Sequence, residues 1–261
     1  MKLGIIADYT EKSFQIAKDK GLAFMEFCIN IGHSIEQFLS SIDDINRWSH
    51  DYNVKVGSVG RWGSDRIDTQ GKIIQEELQL TYQLIDATAA LGCSNFVCGC
   101  NYRDELSYFE NCAAAINYFT TLIEYAAPKG VKISVYNCRW NNFVHSDPAW
   151  TLIHGHVKEL GIKYDPSHCY YAGGNYLEEM KQWAHRFYHV HVKGSLAIGG
   201  KRYDDPPAGL DQTNWGVFMA ILYAEKYKGG LSIEPHSSNW QGELGEKGVD
   251  FTIKYMQQFL L

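Results

Sequence analysis

Several apolar, strand-like runs in the second half of the chain end in residues that ligate metals or move protons. One ends in Tyr164-Asp165-Pro166-Ser167-His168. An Asp with a His three residues on is a pair of hard or borderline ligands. The other reading of Asp165 is a turn cap before Pro166. A second run reads His189-Val190-His191-Val192-Lys193. The period of two puts 189, 191 and 193 on one face. Three basic groups on a buried face are costly unless partnered. His191 suits a ligand, Lys193 a contact to an anion or carbonyl, and His189 a hydrogen-bonded structural role. A third run reads Leu231-Ser232-Ile233-Glu234-Pro235-His236. Glu234 after an apolar run must be metal-bound or paired, and Arg61 or Arg202 could pair it. A fourth, Ile133 to Asn142, crowds polar and aromatic residues at its end. There Tyr136 reads equally as a filling aromatic or as a substrate-facing phenol.

These ends need elements to hold them. Strand patterns cover 3–7, 23–29, 54–59, 95–99, 131–137, 162–165, 187–193 and 231–235. Helical spacing fills the gaps, most clearly over 73–91, 113–127 and 249–261. Gly21, Gly92, Gly130 and Gly161 each follow a helical pattern and precede a strand. That is where a left-handed helix cap is needed. Eight such βα units in 261 residues predict an α/β fold, a (β/α)8 TIM barrel forming a single domain over 1–261. The longest irregular stretch is 195–212, after the seventh strand. Catalytic groups of such barrels sit at the C-terminal strand ends.

Composition narrows the partners. Hydrophobic residues make up 45% and charged residues 21%, so a core can form without disulfides. The net charge of −6, with scattered Lys and Arg, argues against nucleic acid and anionic membrane. No apolar run approaches the roughly 18 residues of a membrane span, and the first residues read as a strand rather than a signal peptide. Seven cysteines, an odd number, predict reduced thiols and a cytoplasmic setting. Cys93, Cys98 and Cys100 lie on an apolar run and read as packing thiols.

The order Asp165-Pro-Ser-His168, His189-x-His191-x-Lys193, Pro206-Pro-x-Gly209-Leu-x-x-x-x-Trp215 and Tyr227-x-Gly-Gly-Leu-Ser-Ile-Glu234 resembles the sugar phosphate isomerase/epimerase group with the xylose isomerase-like TIM barrel. The resemblance implies one divalent metal ion at the barrel mouth, Mn²⁺ first and Mg²⁺ or Zn²⁺ as alternatives. It implies Asp165, His191 and Glu234 as metal ligands, and His168 and Arg202 as substrate contacts. Relatives resembling ketose 3-epimerases carry Glu-Asn on the fifth strand, where this chain has Tyr136-Asn137.

Such a site suits proton removal next to a carbonyl. Glu234 is the expected base, with Tyr136 and Lys193 as further catalytic candidates. Trp62, Trp140, Asn137 and His236 join His168 and Arg202 as expected substrate-binding residues. The expected activity is sugar isomerisation or epimerisation, and the absent fifth-strand Glu favours the one-base isomerase. A lyase or hydratase acting on a keto-sugar or keto-glycoside is the alternative, followed by a metal-poor sugar-binding barrel. The expected partner is a small-molecule sugar, and self-association into a homo-oligomer is left open. No glycine-rich phosphate cradle follows the seventh strand.

Overall fold

Eight parallel strands close on one another in the computed structural model, which describes all residues, 1–261. They are β1 (Lys2–Ile6), β2 (Phe24–Cys28), β3 (Lys55–Arg61), β4 (Asn95–Cys98), β5 (Lys132–Tyr136), β6 (Gly161–Tyr164), β7 (Phe187–Val192) and β10 (Gly230–Ile233). Each pairs with its neighbour in sequence, and β1 pairs with β10 to complete the (β/α)8 barrel. The stretch 195–212 is not wholly irregular. It contains a two-stranded antiparallel hairpin, β8 (Leu196–Ile198) and β9 (Lys201–Asp204), turned by Gly199 and Gly200 at positive φ.

The helices bury one face against the barrel in a continuous apolar core. Local signals set their ends. Ser107 and Glu110 form a capping box at the start of the helix Tyr108–Ala126. Asn175 and Asn214 cap the helices Tyr176–Trp183 and Trp215–Ala224. Gly21, Gly92 and Gly130 adopt the expected left-handed conformation. Gly161 does not: it is the first residue of β6, and a Cβ there would meet the Tyr188 ring at 2.0 Å. It is a close-approach glycine, not a helix cap. Cys93, Cys98 and Cys100 are buried and free.

The floor of the barrel is plugged by Phe24. Cβ atoms added to Gly4, Gly57 and Gly230 would lie 2.4, 2.3 and 2.6 Å from its ring. Three glycines thus make room for one aromatic that seals the N-terminal end. The opposite end stays open over a cavity of about 700 Å³. No helix is long and apolar enough to cross a membrane.

Candidate active site

Asp165, Lys193 and Glu234 each stand one residue beyond a strand end, on β6, β7 and β10 respectively. The barrel therefore gathers them at one mouth with His191, the penultimate residue of β7. Donor atoms of Asp165, His191 and Glu234 lie within 4.8 Å of one another. Lys193 Nζ is 2.8 Å from Asp165 Oδ2 and 3.6 Å from Glu234 Oε1. The turn-cap reading of Asp165 is realised, and it leaves the other carboxylate oxygen free for the ligand role. Its Oδ1 accepts from Ser167 N at 2.9 Å and caps the helix Pro166–Tyr171. Its Oδ2 is buried, near Lys193 and His168, yet accepts a well-directed hydrogen bond from neither.

His191 is held from both sides. Its Nδ1 is 2.7 Å from Glu234 Oε2, and its Nε2 is 2.9 Å from Glu26 Oε2. Glu26 also takes His189 Nε2 at 2.7 Å, which accounts for the structural role expected of His189. Burial opposes ionisation of Glu26, but the two imidazoles outweigh it and hold the carboxyl well below the usual range. Glu234 behaves alike: burial is outweighed by Lys193 and His191, and the group is a carboxylate at neutral pH. Burial pushes His168 down to about 4, so it is neutral there. Glu234 pairs with neither Arg61 nor Arg202. Arg61 binds Glu77 at 2.6 Å, and Arg202 pairs with Asp205.

The donor set fits a divalent cation. Two carboxylates and an imidazole form an O/N site, and Asp165 Oδ2 is a buried acceptor without a hydrogen bond. Glu26 ties down Nε2 of His191, which leaves Nδ1 turned toward Glu234. A carboxylate behind a ligand histidine orients the ring and raises its basicity.

Four of the other expected residues line the cavity: Trp62, Trp140, His168 and His236, and Arg202 joins them from β9. Arg202 is placed by a network that sequence spacing did not disclose. Buried Asp205 receives Arg202, His236 Nδ1 at 2.8 Å and Tyr171 Oη at 2.8 Å. Two expectations need correction. Tyr136 does not line the cavity. It is 1% exposed, its ring stacks on Trp62 at 5.3 Å, and its hydroxyl donates to the Trp140 carbonyl at 2.9 Å. Of its two readings the filling aromatic is the one these contacts support, and nothing in them supports a catalytic role. Asn137 does not line the main cavity either, but a smaller neighbouring pocket that shares His168 with it. Its amide donates to Asp165 O at 2.8 Å and its Oδ1 accepts from Asp165 N at 2.9 Å, so it positions the aspartate backbone.

Sequence reasoning missed Glu26, Lys163, Asp205 and Asn30. Glu26 and Lys163 are charged residues inside apolar strand segments, a signal that was available. Asn30 follows β2 and carries a buried Oδ1 with no partner at the cavity wall. Nothing local marks it.

A comparison with curated proteins by sequence returns no match. Solved structures of the same shape are numerous. A D-allulose 3-epimerase from Methylomonas sp. superposes with a TM-score of 0.80 at 18% identity, over 100% of this chain and 98% of the other. A D-psicose 3-epimerase from Clostridium cellulolyticum H10, solved with D-tagatose, gives 0.79 at 14% over 100% and 99%. A 3-keto-D-glucoside 4-epimerase from E. coli gives 0.76 at 14% over 99% of both chains. At such identities the likeness is one of fold. The sequence-level assignment comes from the family model, which matches residues 14–258: the chain belongs to the xylose isomerase-like TIM barrel family.

Proposed function

We propose that the protein is a sugar isomerase or epimerase that moves a proton next to a carbonyl, with one divalent cation held by Asp165, His191 and Glu234. The observation that carries this reading is the chain of contacts Glu26–His191–Glu234 opening onto a sugar-sized cavity. When bound, such a cation polarises a carbonyl and its neighbouring hydroxyl, which acidifies the intervening C–H. Mn²⁺ is the first candidate, since the donor set is oxygen-rich with one imidazole.

The protein's own groups account for the rest. Glu234 is ionised and reaches the cavity, so it serves as the base that accepts the C–H proton. His191 and Lys193 fix its orientation. Lys193 also places a positive charge beside the substrate oxygens, where negative charge develops as the proton leaves. Asn30 Oδ1 and His168 offer hydrogen-bond partners to hydroxyl groups. Trp62 and Trp140 present rings to the C–H faces of the sugar.

The structural neighbours named above are epimerases, and an epimerase needs proton transfer on two faces. Tyr136 lies behind Trp62 and the fifth strand offers no carboxylate to the cavity, which supports one-base isomerisation with Glu234 as the base. The test is a ¹H NMR assay of ketohexoses in D₂O with the Mn²⁺-supplemented protein. Deuterium wash-in at the carbon next to the carbonyl, absent in Glu234→Gln, is the expected result. A new alkene signal without wash-in would instead indicate a lyase. No exchange with any ketohexose or aldohexose, by a protein that holds metal, would count against the reading.

A further inference from the structure

Lys163 is the one permanent cation of the cavity that has no anionic partner. Three such cations line it: Lys163, Lys193 and Arg202. Lys193 is paired with Asp165 and Glu234, and Arg202 with Asp205. Lys163 is 2% exposed, stands mid-strand on β6, and forms no ion pair or hydrogen bond with any protein group. Its neighbours in sequence, Ile162 and Tyr164, point out into the helical core, so its side chain enters the barrel. Asp165 and Glu234 feel its charge from a distance, but no carboxylate touches it. A buried ammonium at a cavity wall without a contact partner marks where a ligand anion completes a pair.

Building on the sugar-binding reading above, we propose that Lys163 is an anion anchor and that the substrate is a sugar acid whose carboxylate docks on its ammonium. The chemistry favours a carboxylate over a phosphate. A single amine offers one point charge, without the forked donors of an arginine. Arg202 is already engaged by Asp205. The nearest helix N-terminus, at Pro166, is occupied by its own cap, Asp165. A dianionic group would also sit close to the carboxylates of Asp165 and Glu234, whereas a monoanion is balanced by Lys163 alone.

The test compares D-gluconate, D-glucitol and D-glucitol 6-phosphate by isothermal titration calorimetry against the wild type, Lys163→Met and Lys163→Arg. D-Gluconate and D-glucitol differ only in carboxylate against hydroxymethyl. The wild type is expected to bind D-gluconate at least about tenfold more tightly than D-glucitol, the scale of one partly desolvated charge pair. Lys163→Met should abolish that preference with D-glucitol affinity unchanged, and Lys163→Arg should keep most of it. Equal wild-type affinities for the two overturn the proposal without any variant, and leave the sugar-binding reading intact. So does a preference that survives Lys163→Met. Tighter binding of D-glucitol 6-phosphate than of D-gluconate overturns the carboxylate assignment. Binding of none of the three overturns the proposal together with the reading on which it rests.

Discussion

The two halves of the barrel mouth are built from opposite materials. On β6, β7 and β10, with Glu26 reaching across from β2, the inward groups near the mouth are charged or imidazoles apart from Ser232, and most are tied to one another. At the mouth ends of β3, β4 and β5 stand Trp62, Val97 and Tyr136, a small apolar cluster with Cys28 and Cys138 packed against it, above a hydrogen-bonded layer of Ser58, Asn95 and Ser134. Close approach defines that apolar arc: Cβ atoms on Gly60 and Gly99 would come within 2.3 Å of Trp62 and 2.5 Å of Tyr136. The charged arc can hold a cation and move a proton. The apolar arc can only shape and dehydrate. The division teaches that the groups able to ligate a cation or move a proton are concentrated on one side of the cavity, the arrangement that the proposed one-base reaction would use.

The largest effects should therefore come from the charged arc. Glu234→Gln keeps the shape of the side chain but removes the base and one charged oxygen of the proposed metal site. It should lower kcat by about 10²- to 10⁴-fold, read as the rate of deuterium wash-in. Trp62→Phe, its counterpart on the apolar arc, should raise KM with kcat within about threefold, since it removes contact area made equally in ground and transition states. A larger kcat loss in Trp62→Phe than in Glu234→Gln would break the division.

Glu26 sharpens the comparison because it never reaches the cavity. Its contribution runs through His191. Glu26→Gln should weaken Mn²⁺ binding by about 10- to 100-fold, the usual cost of losing a carboxylate behind a ligand histidine. Calorimetric titration with Mn²⁺ reads this without substrate. An unchanged affinity would mean that His191 is not a ligand.

Two histidines with the same depressed pKa separate burial from pairing. His168 in the charged arc and His154 beneath the barrel's outer layer are both pushed down to about 4, in each case chiefly by burial. His154 hydrogen-bonds the Leu160 carbonyl at 3.1 Å and contacts no carboxylate. Between the ordinary histidine value of about 6.5 and 4, the unfolded chain binds a proton that the folded chain refuses. The stability is present in full above about 6.5 and is lost as pH falls, at about 1.4 kcal/mol per unit, or about 3 kcal/mol by pH 4. That slope is the share of each histidine; urea melts from pH 7.5 to 5 should show stability falling with pH, and His154→Gln should remove about 1.4 kcal/mol per unit of the slope and leave the share of His168. A slope of opposite sign would place a charged imidazole in the fold.

How much of this was legible follows from where each residue's partners lie in sequence. Asp165, His191 and Glu234 were readable because a polar group at the end of an apolar strand is visible within five residues. The barrel followed from eight repeats of the same local pattern. The hairpin β8–β9 was not readable, since its short strands have no apolar alternation and it is held through Asp205 and Tyr171, 34 residues apart. Glu26 carried a signal, a carboxylate between Met25 and Phe27, but its meaning depends on His189 and His191, more than 160 residues away. Lys163 is the same case. Tyr136 was undecidable locally, because wall and catalyst differ only in where the ring is turned, and Trp62 turns it.

Tyr136 accordingly supplies the smallest predicted effect on turnover and the most direct check on the apolar arc. Its hydroxyl is committed to the Trp140 carbonyl, and it lies against Gly99, where even a Cβ would come within 2.5 Å of it. No substrate atom fits between them. Burial also pushes the phenol's pKa well up, so it is a poor proton donor at neutral pH. Tyr136→Phe keeps the stack on Trp62 and deletes one hydrogen bond. It leaves the Trp140 carbonyl without that donor, in a loop that water can reach. The expected cost is about 1 kcal/mol of stability, measured by urea melts. Turnover should change by less than about twofold, against the 10²-fold or greater loss expected of a general acid. A 10²-fold fall in kcat with unchanged stability would restore Tyr136 to the chemistry, add a second proton-transfer face, and turn the preferred reaction from isomerisation to epimerisation.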